Sequence, residues 1–181
     1  MSSNMKYFAK LTLVLLIITV VVAGLLGLVN AITEDRIAEI TEQKTAAAMR
    51  AVMPEAESFS EIEYSGDPLV IGAYRAENAS GTAGYVFRVV PVGFGGEIDM
   101  VVGVDTTGKV TGVSIVNMAE TSGLGDNAKK ESFRSQYVGK SGTLAVTKDG
   151  GSIEALTGAT VTSRAVTSGV NAALKAAKTF E

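Results

Sequence analysis

The chain contains no cysteine and no histidine among its 181 residues. The missing cysteine excludes disulfides, iron–sulfur ligation, a thiol nucleophile and a lipid-modified N-terminal cysteine. The missing histidine excludes imidazole acid–base catalysis and the usual zinc and haem ligands. A redox protein of this composition would therefore have to rely on an organic cofactor.

Positive charge is also scarce beyond the first thirty residues. All 19 acidic side chains lie beyond residue 30, but only 14 of the 16 basic ones do, because Lys6 and Lys10 come earlier. This acidic balance excludes a basic nucleic-acid-binding surface. The sequence has no internal repeat and no low-complexity tract, and the roughly 150 residues of this part can bury one core.

One long apolar run, Leu11–Val29, contains no charged residue. Its 19 residues are enough to cross a hydrocarbon layer of roughly 30 Å. Lys6 and Lys10 precede the run and Glu34 and Asp35 follow it, which predicts a cytoplasmic N-terminus and an extracytoplasmic remainder in a single-pass inner (cytoplasmic) membrane protein. A cleaved signal peptide is the alternative, but the run exceeds the roughly 7 to 15 residues of a signal core.

Four segments are predicted along the chain. Residues 1–10 form a cytoplasmic N-terminus, residues 11–29 a transmembrane helix, residues 30–53 a juxtamembrane stalk helix and residues 54–181 a folded domain. The stalk is rich in Ala and Glu and has no helix breaker before Pro54. Its apolar stripe is imperfect, so we expect a partly exposed helix that packs on neighbouring elements or partners.

The folded domain has the pattern of an α+β fold. Four strand-like runs predict two hairpins in an antiparallel sheet: Leu69–Ala76, Gly84–Val92, Glu97–Val104 and Val110–Val116. The polar residues 55–67 are expected to form a loop. Three later elements are predicted, namely a short helix Asn127–Gln136, a strand Leu144–Thr147 and a closing helix Arg164–Lys178. This order indicates α+β architecture with flanking helices rather than a doubly wound sheet.

A cluster of hydroxyl side chains lies just before the closing helix. Its four members within seven residues are Thr157, Thr160, Thr162 and Ser163, and they surround Gly158 and Ala159. The first turn of a helix leaves backbone N–H groups unpaired, so a phosphate could bind there without any Lys or Arg. The alternative is that Thr162 or Ser163 merely caps the helix.

Two glycine-rich loops lie earlier in the chain. Gly93-Phe94-Gly95-Gly96 falls between strands, and Glu120-Thr121-Ser122-Gly123-Leu124-Gly125 follows the second hairpin. Glycine permits close backbone approach to a flat ligand, and Phe94 or Leu124 could cover a ring while Thr121 and backbone N–H groups bond its polar edge. The alternatives are an ordinary turn with an exposed aromatic side chain, and a helix-entry loop in which Leu124 anchors the core.

The three loops together, in this order, resemble those of the G subunits of Rnf complexes and of the related C subunits of the sodium-pumping NADH:quinone reductases. Thr157-Gly158-Ala159-Thr160 matches the [Ser/Thr]-Gly-Ala-Thr sequence whose last threonine carries FMN in that family. The chain departs from the family pattern at Ser122, where Pro is usual, and at Glu154, where Asp is usual. The single N-terminal span also matches, and the compact length favours the Rnf G family.

The resemblance implies a covalent FMN, joined by a phosphoester to Thr160 and supplied from FAD by a separate flavin transferase. Backbone N–H groups from Val161 onward would hold the phosphate, and Gly158 and Ala159 would leave the hydroxyl accessible. Thr157, Thr162 and Ser163 are the alternative attachment or phosphate-binding hydroxyls. The expected isoalloxazine contacts are Glu120, Thr121, Gly123, Leu124, Gly125, Gly93, Phe94, Gly95 and Gly96.

The implied function is electron transfer within a membrane-bound, Na⁺- or H⁺-translocating ferredoxin:NAD oxidoreductase, without catalysis by this polypeptide alone. The expected partners are the membrane-embedded A, D and E subunits, the peripheral B and C subunits, and the flavin transferase. One alternative is the FMN subunit of a sodium-translocating NADH:quinone reductase or of another extracytoplasmic reductase. A second alternative is a membrane-tethered structural or peptide-binding domain without cofactor, which would be colourless.

Overall fold

A computed structural model describes residues 3–180 and shows a long helix followed by an antiparallel sheet. Helix α1 spans Ser3–Val52, so the predicted transmembrane and stalk segments form one continuous helix. Part of it is long and apolar enough to cross a membrane, with a mean hydropathy of 2.9 over 18 residues. Backbone contacts divide the chain into a unit up to Glu42 and a folded unit from Gln43 onward. The last turns of α1 belong to the folded unit.

The sheet of the folded unit is a five-stranded meander in which every neighbouring pair is antiparallel. Its strands, in chain order and in spatial order, are β1 Ser58–Glu61, β2 Val70–Asn78, β3 Gly81–Val89, β4 Ile98–Asp105 and β5 Val110–Met118. The predicted antiparallel sheet is confirmed. The loop expected over residues 55–67 is wrong in part, because β1 pairs with β2 there.

Strand β1 was not predictable from its own sequence, Ser-Phe-Ser-Glu, which contains a single apolar residue. Phe59 pairs with Ala76 of β2 and packs against the buried cluster on one face of the sheet. Tertiary pairing therefore decides the conformation of a segment whose local composition favours a loop.

The hairpin between β2 and β3 is tighter than predicted. The strands reach Asn78 and resume at Gly81, so the expected seven-residue connection shrinks to two residues. Gly81 has a φ of 116°, which an L side chain rarely adopts, and the Asn78 Oδ1 accepts a hydrogen bond from the Ser80 N–H at 2.9 Å. Polar composition concealed the strand ends, because the residues there are exposed or only half-buried.

The two faces of the sheet bury different elements, because alternate residues of a strand point to opposite sides. One face packs against helix α3, Thr160–Ala177, through side chains that include Phe87, Met100, Val102, Val166 and Val170. The other face packs against the end of α1 through Met49, Val52, Val86 and Val101. The predicted α+β architecture is thus built as helix, sheet, helix within the folded unit.

The end of α1 lies very close to the backbone of the sheet. A Cβ added to Gly103 would lie 2.8 Å from the Val52 carbonyl oxygen, and one added to Gly112 would lie 3.0 Å from the Val52 Cα. The Thr111 hydroxyl donates a 2.6 Å hydrogen bond to the same Val52 carbonyl. Two glycines and one threonine therefore seat the last turn of the helix and satisfy one of its terminal carbonyls.

The segments between β5 and α3 are less regular than predicted. The expected helix over residues 127–136 is divided into a 3₁₀ helix Gly125–Lys129, a short α-helix α2 Glu131–Arg134 and a 3₁₀ helix Ser135–Tyr137. The strand predicted over residues 144–147 is wrong, because Val146 makes only an isolated bridge with Ile153. A 3₁₀ helix, Thr147–Asp149, follows instead.

Candidate cofactor site

Helix α3 begins at Thr160, four residues earlier than predicted. Ala159 is the N-cap and makes no side-chain capping bond, and Gly158 before it has a left-handed φ of 77°. The first intrahelical bond described for this end joins the Ser163 N–H to the Ala159 carbonyl at 3.0 Å. The N–H groups of the three preceding helical residues therefore have no helical acceptor and face the start of the helix.

The hydroxyls of Thr162 and Ser163 do not cap the helix, so that expectation is wrong. Ser163 is fully buried, and its hydroxyl donates to the Ala159 carbonyl and accepts from the Leu156 N–H, both at 2.9 Å. Thr162 is 1% exposed and donates to Glu120. Both hydroxyls thus hold the turn together from inside the domain.

Glu120 joins all three predicted loops. Its Oε1 accepts hydrogen bonds from the Phe94 N–H at 2.8 Å and the Gly95 N–H at 3.1 Å. Its Oε2 accepts from the Thr162 hydroxyl at 2.9 Å. The carboxylate expected to contact a flavin therefore has three donors from the protein itself, and it fixes the loops relative to one another.

Close packing of these loops explains several of their glycines. An added Cβ would lie 2.1 Å from the Glu120 Oε1 at Gly93, 2.1 Å from the Ala119 carbonyl oxygen at Gly95, and 2.6 Å from the Glu120 Oε2 at Gly125. These contacts are far shorter than a real Cβ tolerates. From the sequence we expected these glycines to allow close approach of a ligand. In the structure they allow close approach of one loop to another.

The loops enclose a cleft of about 380 Å³ beside the start of α3. Its lining residues are Phe94, Glu120, Thr121, Leu124, Gly125, Lys148, Gly158, Ala159, Thr160, Val161 and Thr162. The volume lies within the roughly 300–1,000 Å³ that is typical of small-molecule sites. Ten of these residues were predicted from the sequence as flavin contacts.

The cleft presents apolar side chains to solvent. Phe94 is 74% exposed, Val161 48% and Leu124 43%. The alternative in which Leu124 anchors the core is therefore wrong. Exposed apolar side chains at the rim of a concave site suit a flat aromatic ligand.

Six predicted contact residues do not line the cleft: Thr157, Ser163, Gly93, Gly95, Gly96 and Gly123. Gly96 and Gly123 have φ values of 134° and 76°, so they serve the shape of their loops. Thr157 is exposed, and Ser163 is buried behind the turn. A direct role for these six residues stays a prediction.

Lys148 is the one lining residue that sequence reasoning missed. Its Nζ donates a 2.9 Å hydrogen bond to the Thr160 Oγ1. That a phosphate could bind here without any Lys or Arg stays a prediction, but a lysine lies next to the hydroxyl. The sequence Lys-Asp-Gly-Gly at residues 148–151 has the composition of a turn, but nothing in it indicates a partner twelve residues away.

The neighbouring Asp149 holds this turn against α3. Its two carboxylate oxygens accept from the Arg164 Nε at 2.7 Å and Nη2 at 2.6 Å. These hydrogen bonds lower the pKa of Asp149 below its ordinary value and raise that of Arg164. Glu154, the family's Asp position, is exposed outside the cleft, and its backbone N–H donates to the Gln136 Oε1 at 2.7 Å.

A larger groove of about 810 Å³ lies elsewhere on the folded unit. It is lined by residues 61–65 and 70–73 and contains none of the three loops. We assign the site to the smaller cleft, because apolar side chains, the start of α3 and a lysine bonded to the Thr160 hydroxyl line it, whereas the larger groove contains none of the three loops.

Comparison with known proteins identifies two regions of the chain. Residues 93–175 match the FMN-binding domain family, and residues 1–52 match the RnfG N-terminal region. All three loops lie within the first of these matches. The second match covers α1.

Two curated relatives are similar to this chain over almost its full length. The G subunit of the proton-translocating ferredoxin:NAD(+) oxidoreductase complex of Clostridium ljungdahlii is 38% identical, with 91% of this chain and 89% of the relative covered. The G subunit of the Na(+)-translocating complex of Acetobacterium woodii is 33% identical, with 94% of this chain and 91% of the relative covered.

A solved structure supports the fold. The crystal structure of the C subunit of the Na(+)-translocating NADH-quinone reductase from Parabacteroides distasonis has a TM-score of 0.61 at 17% identity, and the match covers 80% of this chain and 94% of that one. The α+β fold predicted from the order of strand-like and helix-like runs is confirmed. On the identity and coverage of its relatives, the chain belongs to the family of G subunits of Rnf ion-translocating oxidoreductase complexes.

Proposed function

We propose that this chain carries FMN on Thr160 through a phosphoester and relays electrons within a membrane-bound, ion-translocating ferredoxin:NAD oxidoreductase complex. The observation that carries the proposal is the position of the Thr160 hydroxyl, which lies in the cleft next to Lys148 and at the first residue of α3. The family assignment supplies the class of complex.

The residues of the cleft fit both ends of FMN. The phosphate end would lie at Thr160, where helix N–H groups and the Lys148 ammonium provide donors. The ring end would contact the exposed side chains of Phe94, Leu124 and Val161. Bound FMN supplies the electron transfer, and the chain supplies its position and surroundings.

Thr160 is the best placed of the four hydroxyls for attachment. Thr162 and Ser163 are 1% and 0% exposed, and their hydroxyls already donate to the Glu120 carboxylate and the Ala159 carbonyl. Thr157 does not line the cleft. Thr160 lines the cleft and is only partly buried.

Attachment requires a phosphoryl transfer that we assign to a separate flavin transferase. The Thr160 Oγ forms a bond to the FMN phosphorus of FAD, the pyrophosphate bond of FAD breaks, and AMP leaves. The hydroxyl proton would pass to a base of the transferase, because the cleft contains no histidine and its carboxylate, Glu120, already accepts three hydrogen bonds. The chain contributes the acceptor hydroxyl and its surroundings.

The chain would act as a relay and not as a dehydrogenase. It has no imidazole or thiol with which to handle protons, and a tethered domain gains electrons from one neighbour and gives them to another. The proposed partners are the membrane-embedded A, D and E subunits and the peripheral B and C subunits. The coupling ion stays open, since one relative is named for protons and another for Na⁺.

The charges around the apolar run support one orientation in the cytoplasmic membrane. Lys6 and Lys10 lie before the run, and Glu34 and Asp35 lie after it. The distribution of Lys and Arg determines the orientation, so the N-terminus would stay in the cytoplasm and the cleft would lie outside. A covalent bond would then keep the flavin from being lost to the surroundings.

The test is intact-protein mass spectrometry of the chain produced together with a flavin transferase. We expect the parent and Thr157→Ala to carry one FMN mass and Thr160→Ala to carry none. Flavin absorbance of the denatured parent should remain with the polypeptide. A Thr160→Ala protein that still carries the FMN mass, or a colourless parent, would refute the proposal.

A further inference from the structure

We propose that Lys148 is a binding residue of the flavin attachment site, which holds the Thr160 hydroxyl before esterification and pairs with the phosphate afterwards. This inference rests on the proposed function. The starting observation is the 2.9 Å hydrogen bond from the Lys148 Nζ to the Thr160 Oγ1, the atom that would form the ester.

A second pair of residues fixes this contact. Asp149, next in the chain after Lys148, forms two hydrogen bonds to Arg164, which lies one helical turn after Thr160. The 3₁₀ turn and α3 are thus joined at two adjacent points, Lys148 with Thr160 and Asp149 with Arg164. An ion pair with two parallel hydrogen bonds restricts orientation as well as distance.

The backbone of the turn also limits where Lys148 can go. Gly150 has a left-handed φ of 82°, and an added Cβ at Gly151 would lie 1.9 Å from the Ala145 carbonyl oxygen. The Thr147 N–H donates to the Ile153 carbonyl at 2.8 Å. The lysine therefore extends from a closed turn and not from an open loop.

The charges of the cleft leave Lys148 as the natural partner of a phosphate. Among the lining residues the charged ones are Glu120 and Lys148, and Glu120 already accepts three hydrogen bonds. A phosphodiester on Thr160 carries one negative charge. An ammonium beside the Thr160 Oγ1 would be placed to donate to phosphate oxygens on that atom and to offset their charge.

The experiment follows flavin loading with time, using the purified full chain, FAD and a flavin transferase, with the adduct measured by intact mass. We expect Lys148→Gln to load about three- to tenfold more slowly than the parent, since it loses a charge-assisted hydrogen bond that is partly screened by solvent. Lys148→Arg should retain most of the rate, because it keeps the charge. The matched control is Lys178→Gln, an exposed lysine at the other end of α3.

A spectroscopic measurement separates binding from a general structural effect. The ³¹P resonance of the loaded, folded chain should shift in Lys148→Gln, shift less in Asp149→Asn, and stay unchanged in Lys178→Gln. Circular dichroism of the same samples checks that each variant is folded.

The outcomes distinguish the two proposals. A parent chain without adduct refutes the proposed function before any variant is compared. A parent that loads, together with a Lys148→Gln variant that has the parent's rate and ³¹P shift, overturns the role of Lys148 and leaves attachment to Thr160 intact. Slow loading with a shifted ³¹P resonance, recovered by Lys148→Arg, supports the role.

Discussion

The two ends of helix α3 are held by different kinds of interaction. At the N-terminal end the contacts are polar, with Thr162 bonded to Glu120 and Arg164 paired with Asp149. At the C-terminal end the contacts are aromatic. Phe180 stacks on Tyr85 with ring centres 5.3 Å apart, and the Tyr85 hydroxyl donates to the Phe180 carbonyl at 2.9 Å.

This difference indicates that the aromatic end contributes mainly to the stability of the domain and the polar end mainly to the geometry of the candidate site. Aromatic burial contributes most of its free energy by removing apolar surface from water, whereas exposed ion pairs contribute little. The polar end instead determines how the loops are placed around the cleft, because each hydrogen bond joins α3 to one particular loop. We therefore expect substitutions at the aromatic end to change unfolding, and those at the polar end to change the cleft.

The largest effect is expected for Phe87→Ala, beneath the aromatic end. Phe87 is fully buried and contacts the rings of Tyr64, Tyr85 and Phe180. Loss of its side chain should lower the free energy of unfolding by about 3–5 kcal/mol. Urea unfolding of the domain measures this, with Phe94→Ala as control, because that ring is 74% exposed. Equal losses for the two variants would contradict the comparison.

An intermediate effect is expected for Glu120→Ala at the polar end. The change leaves the Phe94 and Gly95 N–H groups and the Thr162 hydroxyl without their acceptor, and about 1–3 kcal/mol of stability should be lost. Faster hydrogen exchange at the first two amides would show that the loops separate. Glu97→Gln, an exposed carboxylate nearby, is the control. Unchanged exchange at Phe94 and Gly95 would refute the joining role of Glu120.

The smallest effect on stability is expected for Leu124→Ala. Leu124 is 43% exposed on the cleft, so unfolding should change by within about 0.5 kcal/mol. In a loaded chain the flavin absorption spectrum should nevertheless shift, because the proposed apolar contact between Leu124 and the ring would be lost, while attachment stays intact. The control is Val138→Ala, which is exposed outside this cleft. A spectrum identical to the parent's would contradict the assignment of Leu124 to the ring.

Patterns that repeat along the chain were predictable. The strand-like runs that became β2 to β5 and the long apolar run in α1 each contain many residues of similar character, so a single residue cannot mislead the prediction. The three loops were recognised from their glycines and hydroxyls, and their order then resembled a family pattern. Ten of the residues predicted in these loops line the cleft.

Features that depend on one distant contact were not predictable. Lys148 lies near Thr160 only because the turn and α3 fold against each other. The two residues belong to different elements, so no helical or strand period relates them. The start of α3 was placed too late, since Thr160 and Thr162 are neutral helix residues whose conformation depends on Glu120 and Gly158. In the same way, residues 58–61 form strand β1 because they pair with β2.

The hydrogen bonds of Glu120 also bear on the order in which the chain folds and is modified. Its hydrogen bonds join segments that are 26 and 42 residues apart, and closing such long loops is slow compared with forming a hairpin. We therefore expect the cleft to be among the last parts of the domain to assemble, although the Thr-Gly-Ala-Thr peptide exists as soon as it is synthesised. A transferase that recognises the assembled cleft would modify only finished chains, so the flavin would serve as a mark of completed folding.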